Sequence, residues 1–262
     1  MAGTRPLNKP WRNQWLLALN FFMTKVQKYP TAQAAAAASA AHITALFDRL
    51  SAEQDRISFA VSGGSTPQLL FKELAKHAID WATIHLFWVD ERAVPPDDEQ
   101  SNFHLAKEFL LDSLSYAQPP VHRIPAEMMP MQAAAAYRDD IAAYFHLEQN
   151  EIAQFDILHL GIGDDAHTAS LFPFEPSIAD FSSNVKALKV EKKGQWRITL
   201  MPAVLRKAKN RVVLAAGPDK AQAMFNIMNL PLDPMSYPAQ MLVDAEGSTE
   251  WFLDEAAAAL LD

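Results

Sequence analysis

Apolar runs alternate with helix-period stretches along most of this chain. Ile57–Val61, Ile84–Val89, Asp156–Leu160 and Arg211–Ala216 are short and dominated by apolar residues, many β-branched or aromatic. Such runs read as strands buried on both faces, as in a parallel sheet. Between and around them the period shifts to that of a helix, over Thr31–Leu50, Gln68–His77, Asn102–Leu114, Ala133–Phe145 and Lys220–Ile227. Thr31 is placed to cap the first of these. The alternation predicts an α/β fold, a mostly parallel sheet covered by helices on both faces. Four shorter pieces, Val121–Ile124, Val185–Val190, Met241–Val243 and Trp251–Leu253, are expected to add edge strands or a small cap.

No internal repeat or long linker interrupts this pattern, so residues 23–262 read as one domain. Residues 1–22 stand apart. The apolar stretch Trp15–Met23 follows Arg5, Lys9 and Arg12. It is far shorter than the roughly 18–20 apolar residues of a membrane-spanning helix. Lys25 follows it closely and no small-residue cleavage site ends it, which argues against a signal peptide. An extension ahead of a true start at Met23 and a docked helix remain open.

Composition narrows the partners. The 262 residues carry 31 Asp and Glu against 23 Lys and Arg, a net charge of −8. Nucleic acids and anionic membranes call for a basic surface, so neither is an expected partner. There is no cysteine, which excludes disulfides, thiolate nucleophiles and cysteine-based metal centres. It also fits a reducing compartment, and a cytoplasmic location is the expectation. A monomer or small homo-oligomer is expected.

Open parallel sheets bind ligands beyond the carboxyl ends of their strands, and all four main strand ends carry chemistry. The first runs into Ser62-Gly63-Gly64-Ser65-Thr66-Pro67 and then a helix. Two glycines allow a tight turn, Ser65 or Thr66 is placed to cap the helix, and Pro67 suits its first turn. Free N–H groups at a helix start attract an anion. The second runs into Asp90-Glu91-Arg92, read as the start of a solvated loop or as functional charge. Arg92 has the geometry to grip a phosphate, and Asp90 to orient a catalytic group or a sugar hydroxyl. Ser101-Asn102 stands ready to cap the next helix, and His104 reads as a helix-surface residue.

The third strand end is the densest: Gly161-Ile162-Gly163-Asp164-Asp165-Ala166-His167-Thr168-Ala169-Ser170. Histidine is the side chain best matched to proton transfer near neutral pH, and a neighbouring carboxylate fixes its tautomer. His167, with Asp165, is therefore the candidate catalyst, while the other seven histidines read as surface residues. One histidine without cysteine makes a poor transition-metal cage, so no metal or cofactor is expected. The fourth end, Gly217-Pro218-Asp219-Lys220, sets Lys220 at a helix start, where a cation opposes the dipole unless it neutralises an anion. Arg197 offers another guanidinium. Together these residues point to acid–base chemistry on a small phosphorylated substrate.

The same ordered set carries a family resemblance. Ser62-Gly63-Gly64-Ser65-Thr66-Pro67, Asp90-Glu91-Arg92 with Ser101-Asn102, Gly161-x-Gly163-x-Asp165-x-His167-Thr168-Ala169-Ser170-Leu171-Phe172-Pro173, Arg197-Ile198-Thr199 and Gly217-x-x-Lys220 closely resemble the 6-phosphogluconolactonases. The likeness runs from about residue 30 to the end and leaves out residues 1–22. It implies a three-layer α/β/α sandwich shared with glucosamine-6-phosphate deaminases. It also implies hydrolysis of 6-phospho-D-glucono-1,5-lactone in the oxidative pentose phosphate pathway, without cofactor or metal. By resemblance, His167 matches the catalytic histidine, Arg92 and Lys220 match basic residues near the substrate and its phosphate, and the loop 62–66 matches the phosphate cradle.

One departure stands inside the key motif. Where the family usually reads Asp-Gly-His, this chain has Ala166. If that position needs a positive φ, alanine costs on the order of 1 kcal/mol, and a misplacement of His167 by about 1 Å would cost about 100-fold in rate. Retained activity is the expectation. Two rivals follow: a deaminase, in which a glutamate stands five residues after the histidine where this chain has Phe172, and a non-catalytic sugar-phosphate binder. Ser62 and Ser170 are alternative nucleophiles, but neither lies in a G-x-S-x-G elbow.

Overall fold

The computed structural model describes residues 24–115 and 117–262. The segment 1–22, for which an extension or a docked helix is expected, lies outside the described residues. Strands β2 (Ile57–Val61), β6 (Ile157–Leu160) and β9 (Asn210–Ala215) are buried at every position. Strands without an exposed face must be covered on both sides, and this is why the sequence is predominantly apolar here, with Ser58, His159, Asn210 and Arg211 as buried exceptions. With β1 (Thr24–Tyr29), β3 (Ile84–Trp88), β5 (Val121–His122) and β10 (Ser248–Asp254) they form a seven-stranded sheet in the order β1-β10-β9-β6-β2-β3-β5. Every pairing in it is parallel. A second, antiparallel sheet joins β4 (Asp90–Arg92), β8 (Gln195–Leu200) and β7 (Val185–Val190). The fold is the expected three-layer α/β/α sandwich.

Helix α1 (Ala32–Ser51) packs on β9, β10 and α2 (Ser65–Leu74). Thr31 caps it as expected, its Oγ1 accepting from the Ala34 N–H at 3.1 Å. Helix α3 (Asn102–Phe109) lies against α2, and α4 (Pro130–Phe145) against β7 and β8. Helices α5 (Pro202–Lys207) and α6 (Ala221–Asn229) flank β9 in sequence. One contiguous apolar core runs through these layers, with Trp88, Trp251, Phe59 and Phe87 among its largest buried side chains. Among the described residues no helix is long and apolar enough to cross a membrane.

The structure corrects several expectations. Trp251–Leu253 belongs to an interior strand, β10, flanked by β9 and β1. The burial of these three residues is the reason, and the edge is taken instead by β1, whose mostly polar sequence hid it. Met241–Val243 is not a strand, because the segment opens with Pro238 and coils into a 3-10 turn over Pro238–Leu242. Strand β8 was missed because Gln195, the exposed Trp196 and Arg197 break the apolar pattern ahead of the buried Ile198–Leu200. His159 is no surface residue. It is fully buried in β6, and burial pushes its imidazole down to about 3, so it stays neutral.

Candidate active site

The carboxyl ends of β2, β3, β6 and β9 open on one cavity of about 270 Å³. Ser62, Gly63, Gly64, Ser65, Thr66, Asp90, Arg92, His167, Arg197 and Lys220 all line it. Asp165 alone of the sequence-predicted set does not. It sits behind His167.

The first loop presents its backbone to the cavity. Gly64, at φ 119°, is the N-cap of α2, and no side chain caps the helix. Neither Ser65 nor Thr66 serves as the expected cap, because the helix begins at Ser65 itself. The amides at the helix start are left to face a ligand, which is the arrangement an anion needs. Gly63 is required by packing. A Cβ there would fall 1.9 Å from Asn102 Oδ1.

The charged triplet after β3 is neither a loop nor solvated. Asp90 and Glu91 are buried, and the triplet forms β4 against β8. Glu91 holds the start of α3: its carboxylate accepts from the N–H groups of Arg92, Asn102 and Phe103 and from Ser101 Oγ, all within 2.7–2.9 Å. Burial pushes this carboxyl up against the opposing pull of those bonds. Asp90 Oδ2 accepts from Ser170 Oγ at 2.6 Å, and the Asp90 carbonyl accepts from Asn102 Nδ2 at 2.8 Å. Ser170 Oγ is thus committed to Asp90, and Ser62 Oγ donates to the His159 carbonyl at 3.1 Å.

The β4–β8 register sets Arg92 directly opposite Arg197. Like charges across a strand pair repel, so this placement makes sense around an anion. The Nε of each guanidinium is buried with no hydrogen-bond partner among the described residues. Burial lowers the pKa of Arg197, with Asp90 pulling it back up. Lys220 adds a third cation, its Nζ 2.8 Å from Asp219. Lys193, which sequence reasoning missed, lines the cavity as well. The signal for it was the pair Lys192-Lys193 ahead of Gly194 between two β-like segments.

The loop after β6 is wound tightly around His167. The Gly163 N–H donates to the His167 carbonyl at 2.8 Å, and the Ala166 N–H to the Gly163 carbonyl at 3.1 Å. Asp165 Oδ1 lies 2.6 Å from His167 Nδ1, and its Oδ2 lies 2.7 Å from Lys192 Nζ. Burial alone would raise the Asp165 carboxyl, but its bonds to His167 and Lys192 outweigh this and hold it well below the usual carboxylate range. The imidazole stacks on Phe172, with ring centroids 4.2 Å apart. With Nδ1 engaged by a carboxylate, the ring is held in the tautomer that leaves Nε2 as a proton acceptor. Ala166 does adopt a positive φ, 65°, and is fully buried. The strain is accommodated, since Asp165 and Phe172 still hold the ring.

Asp164, Asp165 and His167 bring ligand atoms within 4.8 Å of one another. Both Asp165 oxygens are already engaged, one by the Lys192 ammonium, so this trio presents no free ligand set for a metal ion.

A parallel sheet with an uncapped helix start, clustered cations and a carboxylate-held histidine at its carboxyl edge is the arrangement of an α/β enzyme of the sugar-phosphate class. Residues 30–251 match the family model of glucosamine-6-phosphate isomerases/6-phosphogluconolactonase, and the chain belongs to that family. It is 36% identical over 217 residues to a 6-phosphogluconolactonase of Synechocystis, covering 82% of this chain and 89% of that protein. The 6-phosphogluconolactonase of Trypanosoma brucei superposes with a TM-score of 0.81 at 27% identity, over 92% of this chain and all of that one. A monomeric glucosamine-6-phosphate deaminase shares the fold, with a TM-score of 0.74 at 16% identity over 90% of this chain and 99% of that one.

Proposed function

We propose that this chain hydrolyses 6-phospho-D-glucono-1,5-lactone to 6-phosphogluconate in the oxidative pentose phosphate pathway, with His167 as general base. The observation that carries the reading is the Asp165–His167 pair at 2.6 Å on the rim of a cation-lined cavity. The substrate's phosphate docks on the amides of residues 62–66, with Arg197 and Lys220 supplying charge. The lactone carbonyl then lies near His167. His167 Nε2 takes a proton from water as the water oxygen bonds to the carbonyl carbon. Arg92 and nearby N–H groups stabilise the resulting oxyanion. The intermediate collapses, the bond from that carbon to the ring oxygen breaks, and His167 returns its proton to the ring oxygen. The acid product loses its own proton to solvent. Asp90, pinned by Ser170 and Asn102, places a negative charge near Arg197.

Phe172 separates this reading from the deaminase. Sugar isomerisation needs a further acid–base group, and where the deaminases place a glutamate this chain offers an aromatic ring stacked on His167. The reading treats residues 23–262 as one catalytic domain working in the cytoplasm, with 1–22 as an extension. Freshly generated lactone and glucosamine 6-phosphate, each supplied to purified protein, test it. Hydrolysis well above the spontaneous rate without ammonia release is expected. Ammonia release, or binding without turnover, would overturn it.

A further inference from the structure

Asp165 bridges two partners on its two oxygens. One is His167 Nδ1, the other Lys192 Nζ. Lys192 comes from the 3-10 turn Glu191–Lys193 that joins β7 to β8. The small sheet therefore reaches over the strand ends and closes a chain of three residues, Lys192–Asp165–His167. Lys192 does not line the cavity, whereas its neighbour Lys193 does. It has no route to the substrate except through Asp165.

We propose that Lys192 is a positioning residue for the hydrolysis, fixing the Asp165 carboxylate that orients His167 and offsetting its charge. The proposal rests on the lactonase reading. A carboxylate with one partner can swivel, while two partners on opposite oxygens pin its plane. A lone carboxylate beside a histidine favours the imidazolium, which cannot act as a base. An ammonium on the far oxygen weakens that preference. Other charges share the site: Asp164 lies close to the ring in its own loop, and Asp90 and Arg92 from β4, Lys193 from the turn, Arg197 from β8 and Lys220 ahead of α6 line the same cavity. None of these cations bonds to Asp165; among the described residues Lys192 is the lysine or arginine that does. It is also largely exposed, at 60%, so replacing it removes no core contact.

Lys192→Met and Lys192→Arg test this by two readouts. The first is kcat and KM for the lactone between pH 5.5 and 8, with the spontaneous rate subtracted. The second is an NMR titration of the His167 ring in the ligand-free protein. For Lys192→Met, kcat at pH 8 should fall about threefold with KM nearly unchanged, as expected for a loosened base. At pH 6 it should fall about threefold further, because lost positive charge leaves more imidazolium. The His167 titration should move to higher pH, and Lys192→Arg should restore most of both effects. Wild-type kcat with an unmoved His167 titration would overturn the proposal, as would a loss equal at every pH that Lys192→Arg does not repair. The NMR titration needs no turnover. A shifted His167 in a protein without lactonase activity would overturn the lactonase reading and not the Lys192–Asp165–His167 linkage.

Discussion

Gly163 lies so close under His167 that a Cβ added there would fall 1.9 Å from Nδ1 and 2.2 Å from Cε1. The imidazole sits between this glycine, Asp165 and Phe172, and each fixes one of its degrees of freedom. Gly163→Ala should therefore displace the ring while leaving the sheet intact. A displacement of about 1 Å is worth on the order of 100-fold in kcat. Steady-state kinetics beside a circular-dichroism melt checks this. A folded Gly163→Ala protein with near-wild-type kcat would mean that the ring position is not critical.

Ala166 tests the opposite case, a strained residue that the site tolerates. At φ 65°, relieving left-handed backbone gains about 1–2 kcal/mol. Losing a buried methyl costs about 0.8 kcal/mol, and glycine adds unfolded-state entropy of about 0.4–1 kcal/mol. These nearly cancel, so Ala166→Gly should shift stability by less than about 1 kcal/mol. The rate should stay within about twofold, since the ring does not move. A tenfold gain in kcat would show that alanine holds His167 out of place.

Acid should unfold this protein in two separable windows. His159 is depressed to about 3 by burial. Its unfolded form takes a proton near pH 6.5, so its contribution is complete above that pH and is lost as pH falls toward 3. Between pH 7 and 4.5 this amounts to about 2–3 kcal/mol. Asp165 is also depressed, and its contribution fades only below the ordinary aspartate range near pH 4. Urea titrations at pH 7 and 4.5 should thus show a smaller acid loss in His159→Leu, by about 2 kcal/mol. An equal acid loss in wild type and His159→Leu would contradict the assignment.

Much of this was legible in the sequence for a physical reason. Strands β2, β6 and β9 are buried on both faces, so their apolar runs were plain, and glycines mark the turns at their ends. His167 with Asp165 was legible because two carboxylates and a histidine rarely crowd a strand end without purpose. What depends on tertiary partners was not. Glu91 reads as a solvated charge until Asn102 and Phe103 bring their N–H groups to it. Lys192 is 27 residues from Asp165, and only the β7–β8 hairpin joins them. His159 was read as a surface residue although it lies within Asp156–Leu160, a run whose burial on both faces already implied a buried ring. The helix start at Ser65 left no capping role for Thr66, which no spacing rule could have shown.

The central claim is that His167 activates water. It is tested most directly by the kcat for fresh 6-phosphogluconolactone of wild type and His167→Ala, with spontaneous hydrolysis subtracted. The account predicts a loss of about 100-fold or more, the usual worth of a general base, with KM changed little because the phosphate cradle is untouched. A folded His167→Ala protein that keeps near-wild-type kcat would contradict it.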